Sequence, residues 1–230
     1  ANDCFMDELA AEAKADPIAF RKKYLDDKRG LELIERLAAL SKWQTRPSPD
    51  GSQSGDVLKG RGMSYVKYEL TRTYVGSVAD VEVNRTTGKV RVPRFYLVQD
   101  CGQIINPDGV KAQLDGNIIQ PLSRAVIEEV KWDRSMGTTL DWASYPIITF
   151  PDVPELVYDL IDRPNERPGG DDSPCQVALL PGVVDDVVEL EAPRQDQLVA
   201  AGDRHHLRLP AVVEVRLHRL DDRRAKGRGR

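Results

Sequence analysis

Apolar residues recur at helical spacing through the first 43 positions of the chain, in one set at residues 5–13 and a second set at residues 31–40. Between these sets, Asp16-Pro17 offers an N-cap followed by proline at the first helical position. The pattern predicts two helices over residues 5–43, which form a helical lead-in at residues 1–44. Residues 45–56 are dense in Pro, Ser, Gly and Asp, a composition typical of a linker.

The pattern becomes alternating after the linker, which predicts strands. Residues 74–83 and 89–99 alternate apolar with polar or small residues, and a turn with glycine joins them, so they predict a β-hairpin. Pro93 lies inside the second strand, which is therefore expected to be an edge strand or to be bulged there. A further strand is predicted at residues 156–161.

A third pattern follows Asn106-Pro107, where one apolar stripe advances in steps of four. Its members are Val110, Leu114, Ile118, Leu122, Val126 and Val130. The stripe predicts one long helix, kinked at Pro121. The elements together predict an α+β fold: a mixed sheet with a β-hairpin, one long packed helix, a helical N-terminal lead-in and an irregular C-terminal tail.

The composition changes near the end of the last predicted strand. No aromatic residue follows Tyr158, no isoleucine follows Ile161, and arginine becomes abundant toward the C-terminus. Residues 169–230 are therefore expected to be a divergent tail, either disordered or the product of a reading frame that shifts near residues 167–175. All three histidines lie in this tail without supporting ligands, so we expect no metal site there; they are His205, His206 and His218.

Overall composition excludes several classes of function. With 40% hydrophobic residues, 30% charged residues and a net charge of −4, the chain offers no basic surface for nucleic acid. No apolar run approaches the roughly 18 residues of a membrane span. The three cysteines form no CxxC pair, which argues against a zinc site or an iron–sulfur cluster on this chain. The first residues lack Met and the pattern of a signal peptide, so an interior start is expected.

Several motifs follow one another in order between residues 100 and 129. They are Asp100-Cys101-Gly102-Gln103, Asn106-Pro107, Gln113 with Gly116, Ile119-Gln120 and Glu128-Glu129. In this order they resemble the molybdopterin-binding large subunit of the xanthine dehydrogenase and aldehyde oxidase family, in its C-terminal part. Residues 5–10 resemble the helical lead-in of the family, and residues 60–62 and 141–146 are most similar to large subunits of the isoquinoline 1-oxidoreductase and nicotinate dehydrogenase type. The resemblance makes residues 57–168 a portion of the molybdopterin-binding domain.

The resemblance implies hydroxylation of an N-heterocycle or an aldehyde with oxygen derived from water. It also implies molybdopterin (the molybdenum cofactor) shared with an earlier domain, and 2Fe-2S clusters on a small iron–sulfur partner subunit. The compartment that it implies is the cytoplasm, or the periplasm for an exported relative.

Glutamine offers donors and acceptors to a pterin edge, and glycine permits close approach, so Gln113, Gly116 and Gln120 are the candidate cofactor-binding residues. The loop at Asn106-Pro107, just before a helix, presents backbone N–H groups suited to an anionic group.

Two segments depart from the family pattern. Pro121 stands where the family has a glycine, and residues 167–172 (RPGGDD) stand where it has a Pro-Pro-x-Gly-x-Gly-Glu stretch. The family's glutamate is a general base, whose position must be set closely. Asp172 is the nearest carboxylate, one methylene shorter, and is the candidate catalytic residue. The chain alone is expected to be inactive, and the alternative function is a catalytically inactive remnant or a subunit-assembly module.

Overall fold

The computed structural model describes residues 2–45, 54–68 and 72–169 of the 230-residue chain. The helices are α1 (Asn2–Glu12), α2 (Pro17–Tyr24), α3 (Lys28–Leu40) and α4 (Pro107–Val126). The strands are β1 (Val57–Tyr68), β2 (Thr73–Asn84), β3 (Val90–Asp100) and β4 (Glu155–Ile161). One turn of 3-10 helix, Phe150–Asp152, precedes β4. The α+β prediction is confirmed, while most of the predicted linker and nearly all of the predicted tail lie outside the described residues.

The four strands form one mixed sheet in the order β1-β2-β3-β4. The pairs β1–β2 and β2–β3 are antiparallel and β3–β4 is parallel, which confirms the hairpin and the last strand. The bulge predicted at Pro93 is also confirmed, because the β2–β3 register shifts between Asp80 and Glu82, opposite that residue. The edge-strand alternative is wrong: β3 lies inside the sheet, and β4 pairs with it only from Arg94 onward.

Helix α4 begins as the sequence predicts. The Asn106 side chain accepts the Gly109 N–H at 3.1 Å, and proline occupies the first turn. The inclusion of Val130 in the helical stripe is wrong, because the N–H groups of residues 127 and 128 both donate to the Ser123 carbonyl and end the helix. The helix continues through Pro121 as one element, and the kink there stays a prediction.

The lead-in contains three helices, so the prediction of two was wrong. Asp16 caps α2 as expected, accepting the N–H groups of Ile18 and Ala19 at 3.0 Å. The missed feature is a second cap: Asp27 accepts the Arg29 N–H at 3.0 Å and starts α3. Because α2 is only eight residues long, its few apolar positions merge with the stripe of α3 in the sequence.

The sheet is covered on both faces, and we call these the α3 side and the α4 side. On the α3 side, Leu33, Ile34 and Leu37 pack with Met63, Val78, Tyr96, Val98 and Ile161 of the strands. On the α4 side, Leu114, Ile118 and Leu122 pack with Leu58, Val75, Ala79, Phe95 and Leu97. Each buried Val, Leu, Ile, Met or Phe side chain among these stabilises the fold by about 1.5–3 kcal/mol. Among the described residues, no helix is both long enough and apolar enough to cross a bilayer.

Candidate cofactor-binding site

The functional candidates gather around one edge of the sheet. Because β3 and β4 are parallel, their last residues, Asp100 and Ile161, end at the same edge. Residues 101–106 lead from this edge into α4. Residues 162–169, which we call the strap, leave β4 and run beside that loop.

Backbone hydrogen bonds hold the strap against the loop. The Gly169 N–H donates to the Cys101 carbonyl at 2.8 Å, and the Arg163 N–H donates to the Gly102 carbonyl at 3.0 Å. Gly102 has a φ of +78°, and a Cβ on it would lie 2.3 Å from the Arg167 carbonyl oxygen. Only glycine meets both conditions, since other residues rarely adopt that φ and the neighbouring atom belongs to the backbone.

Asp100 is the centre of an ion-pair network behind the loop. Its fully buried carboxylate accepts from Arg29 Nη2 and from Arg163 Nε, each at 2.5 Å. Arg163 also binds Glu32 at 2.7 Å, which ties the strap to α3. Burial opposes ionisation of Asp100, but the hydrogen bonds from the two arginines outweigh it and lower the pKa. The group therefore stays charged at neutral pH and holds the strap in position.

The three predicted cofactor-binding residues lie together on α4. Gln113, Gly116 and Gln120 are all exposed and share the helix face opposite the buried Leu114–Ile118–Leu122 stripe. A Cβ added to Gly116 would meet nothing within 4 Å, so the space above the helix is open at this point. We call this surface the outer face of α4.

The side chains of the outer face suit a flat polar heterocycle. Its two glutamine amides provide donors and acceptors with Gly116 between them, and no charged group separates the three. A flat polar heterocycle would meet free space above Gly116. The residues present therefore fit molybdopterin, although their role as ligands stays a prediction.

Other predicted features have less support or lie beyond the described residues. At the start of α4, the Asn106 side chain already accepts the Gly109 N–H, and Asp108 adds a negative charge in the first turn, so the anion site there stays a prediction. Asp172, the candidate base, lies outside the described residues, as do the three histidines. The last described residue, Gly169, accepts from Thr73 Oγ1 at 3.4 Å at the same sheet edge.

Sequence reasoning missed the arginines that bind Asp100. Arg29 and Arg163 lie 71 and 63 residues from Asp100 in the chain, so no local spacing connects them. The available signal was that Asp100 lies at the end of a strand whose sequence is typical of a buried one. A lone carboxylate in such a place requires a partner. That signal predicts a cation but does not say which one.

The α+β fold and the exposed amides of α4 suit a domain that binds a polar cofactor, and comparison with known proteins identifies the family. Residues 6–154 match the model of the molybdopterin cofactor-binding domain. The chain therefore belongs to the molybdopterin-binding xanthine dehydrogenase family, which confirms the resemblance seen in the sequence.

Two curated relatives resemble the chain over most of its length. It is 34% identical to a nicotinate dehydrogenase subunit of Pseudomonas putida, over 89% of this chain and 18% of that protein. It is 30% identical to the beta subunit of isoquinoline 1-oxidoreductase from Brevundimonas diminuta, over 74% of this chain and 21% of that protein. The chain thus spans about a fifth of the length of these relatives.

A solved structure supports the fold. Aldehyde oxidoreductase from Desulfovibrio gigas superposes with a TM-score of 0.59 at 12% identity, over 81% of this chain and 38% of that one. At this identity the likeness extends to the fold alone.

Proposed function

We propose that this chain forms one wall of the molybdopterin site in a molybdenum hydroxylase large subunit. The observation that carries the proposal is the outer face of α4, where Gln113, Gly116 and Gln120 lie side by side and open to solvent. The match of residues 6–154 to a molybdopterin-binding domain supports the same cofactor. In this proposal the two glutamines bind polar edges of the pterin, and Gly116 leaves room for its plane.

When bound, molybdopterin supplies the metal centre for a two-electron oxidation. The residues of this chain orient the cofactor and hold the neighbouring backbone. Asp100, with its two arginines, fixes the strap, and Asp172, our candidate general base, follows the strap in the sequence. Replacing Asp172 with asparagine in the assembled enzyme should abolish turnover but leave cofactor content unchanged.

The reaction that we propose is hydroxylation of an N-heterocycle or an aldehyde with water-derived oxygen. The relatives' names support a heterocyclic substrate, since they specify nicotinate and isoquinoline. Each relative is named as one subunit of an enzyme, which supports a partner subunit for this chain. We propose that this partner is a small iron–sulfur subunit with 2Fe-2S clusters. We place the assembly in the cytoplasm, with the periplasm as the alternative.

Cofactor content is the direct test. The 230-residue chain would be co-expressed with the part of the Pseudomonas putida nicotinate dehydrogenase subunit that it does not match. Molybdenum and pterin would then be measured in the purified complex. Gly116→Phe should lower both by at least about tenfold, because the ring fills the open space above α4. Ala39→Phe, at an exposed position of α3, is the matched control and should leave both unchanged. Equal content in the two variants would contradict the proposal.

The second candidate is a catalytically inactive remnant or assembly module. Residues 167–172 of the sequence favour it, because no glutamate stands where the family has its base, and so does Pro121 in place of a glycine. This alternative predicts a complex that forms without turnover, whether or not cofactor is present. Activity toward nicotinate or isoquinoline in a molybdenum-loaded complex would exclude it.

A further inference from the structure

The segment between α4 and β4 exposes an unusual number of large apolar side chains. We call residues 127–150 the arm, and none of them is buried. Trp132 and Leu140 are each 74% exposed, Trp142 is 77% exposed and Phe150 is 95% exposed. Val130 and Met136 are exposed in the same segment. Exposed apolar residues at this density mark an interaction site rather than an ordinary solvated loop.

Local hydrogen bonds give the arm a defined shape. Asp133 Oδ1 accepts the N–H groups of Ser135 at 2.7 Å and Met136 at 2.9 Å, and Trp132 forms a β-bridge with Gly137. Asp141 Oδ1 accepts the Ser144 N–H at 2.8 Å. These turns hold the apolar side chains outward, so little order would have to be gained on binding.

Ile148 fixes the arm on the α4 side of the sheet, where its N–H donates to Ser123 Oγ of α4 at 3.0 Å. Within the arm, the Tyr145 hydroxyl donates to Glu128 at 2.7 Å and joins the start of the arm to its later part. Ile148 also packs against the core on that side. The arm therefore continues from the C-terminal end of α4, on the same side of the sheet as the outer face.

The charges of the arm favour a protein over a membrane as its partner. Acidic and basic residues alternate among the apolar ones, as in Lys131, Asp133, Arg134 and Asp141. A surface that binds anionic lipid would instead carry clustered basic residues. Tryptophan, phenylalanine and methionine are also the residues enriched at the centres of protein interfaces.

The length of the relatives indicates which protein the arm binds. The whole arm lies within the family-matched residues 6–154, and about four-fifths of the nicotinate dehydrogenase and isoquinoline 1-oxidoreductase subunits lie outside the match. We propose that the arm is a docking surface for that remaining part of a large subunit. This inference rests on the proposed function, and it places the docked partner beside the outer face of α4, where a cofactor between them would be covered from both sides.

Docking can be tested without the cofactor. The tagged 230-residue chain would be co-expressed with the unmatched part of the Pseudomonas putida protein in cells that cannot synthesise molybdopterin, and the co-purified partner would be quantified. The unaltered chain should retain the partner. The double variant Trp132→Ser/Trp142→Ser should retain at least about tenfold less, as for the loss of aromatic anchors. The double variant Phe5→Ser/Tyr24→Ser removes rings of 58% exposure from α1 and α2, and should retain as much as the unaltered chain.

Other results would overturn the proposal. Failure of the unaltered chain to retain the partner, or equal retention by both double variants, would show that the arm does not dock it. Self-association that the tryptophan variant abolishes would assign the arm to a second copy, and binding to phosphatidylcholine vesicles would assign it to lipid. Circular dichroism and thermal unfolding would verify that each variant folds. Gly116→Phe separates the two proposals, because it should lose cofactor in the loaded complex while docking in this assay persists.

Discussion

The two sides of the sheet differ in how completely this chain covers them. On the α3 side, ion pairs surround the contact between α3 and the sheet. Arg36 binds Asp159 through two hydrogen bonds of 2.5 and 2.7 Å, and the Asp100 network ties α3 to the strap. On the α4 side, one helix covers the sheet, its outer face is open, and the arm exposes apolar side chains. The comparison indicates that the chain closes the periphery of its α3 side with its own ion pairs, whereas part of its α4 side stays open to solvent.

The largest effect is expected at the centre of the α3-side network. Asp100→Ala would leave Arg29 and Arg163 without their buried carboxylate, and the free energy of unfolding should fall by about 3–5 kcal/mol. Asp159→Ala is the matched control, since its pair with Arg36 is more exposed and should contribute less than about 1 kcal/mol. Urea unfolding of the two variants measures the difference. Equal losses would show that Asp100 is not the centre of the network.

Two glycine-to-alanine substitutions, one on each side of the sheet, should change the stability of the fold in opposite directions. A Cβ on Gly76 would lie 2.6 Å from Leu33 Cδ2 and 3.0 Å from Leu37 Cδ2, so Gly76→Ala should destabilise the fold by about 1–3 kcal/mol. Gly116→Ala meets open space in a helix and should stabilise it by up to about 1 kcal/mol. Thermal unfolding should therefore shift the two midpoints in opposite directions. A loss of stability in Gly116→Ala would mean that the outer face is already packed.

A smaller, pH-dependent effect is expected at the start of α3. Burial opposes ionisation of Asp27, but hydrogen bonds from Lys67, Tyr74 and the Gly30 N–H lower its pKa to about 2. Because this folded pKa lies below the unfolded value of about 3.9, the contribution is present above pH 4 and is lost as the pH falls toward 2.

The matched variant is Asp27→Asn, which keeps a side-chain oxygen for the cap but lacks the charge. At neutral pH it should be less stable than the unaltered chain by under about 1 kcal/mol, because the pair with Lys67 is partly exposed. The difference should shrink between pH 4 and pH 2, as measured by urea unfolding at each pH. A difference that stays constant with pH would contradict the assignment.

The sequence predicted elements well where one local rule decides them. Asn106 and Asp16 are caps, the β2–β3 hairpin follows alternation and a glycine turn, and Pro93 marks a bulge. Prediction failed where the decision depends on distant residues. The position of β3 inside the sheet depends on β4, about 60 residues later in the chain. The two arginines that bind Asp100 lie 71 and 63 residues from it in the chain. The candidate site shows the same division. Helical spacing places Gln113, Gly116 and Gln120 opposite the apolar stripe of α4, but no local rule predicts the hydrogen bonds of the strap to Cys101 and Gly102.

The smallest effect on stability is expected in the arm. Trp142 is large, but its side chain is 77% exposed, so Trp142→Ser removes little packing from this chain. The free energy of unfolding of the isolated chain should change by no more than about 0.5 kcal/mol. A comparable truncation inside the sheet, Phe95→Ala, should cost about 3–5 kcal/mol, because Phe95 is fully buried. Urea unfolding of both variants measures the contrast. If Trp142→Ser cost more than about 1 kcal/mol, the arm would belong to the core of this chain, and its tryptophans would not be free to bind another protein.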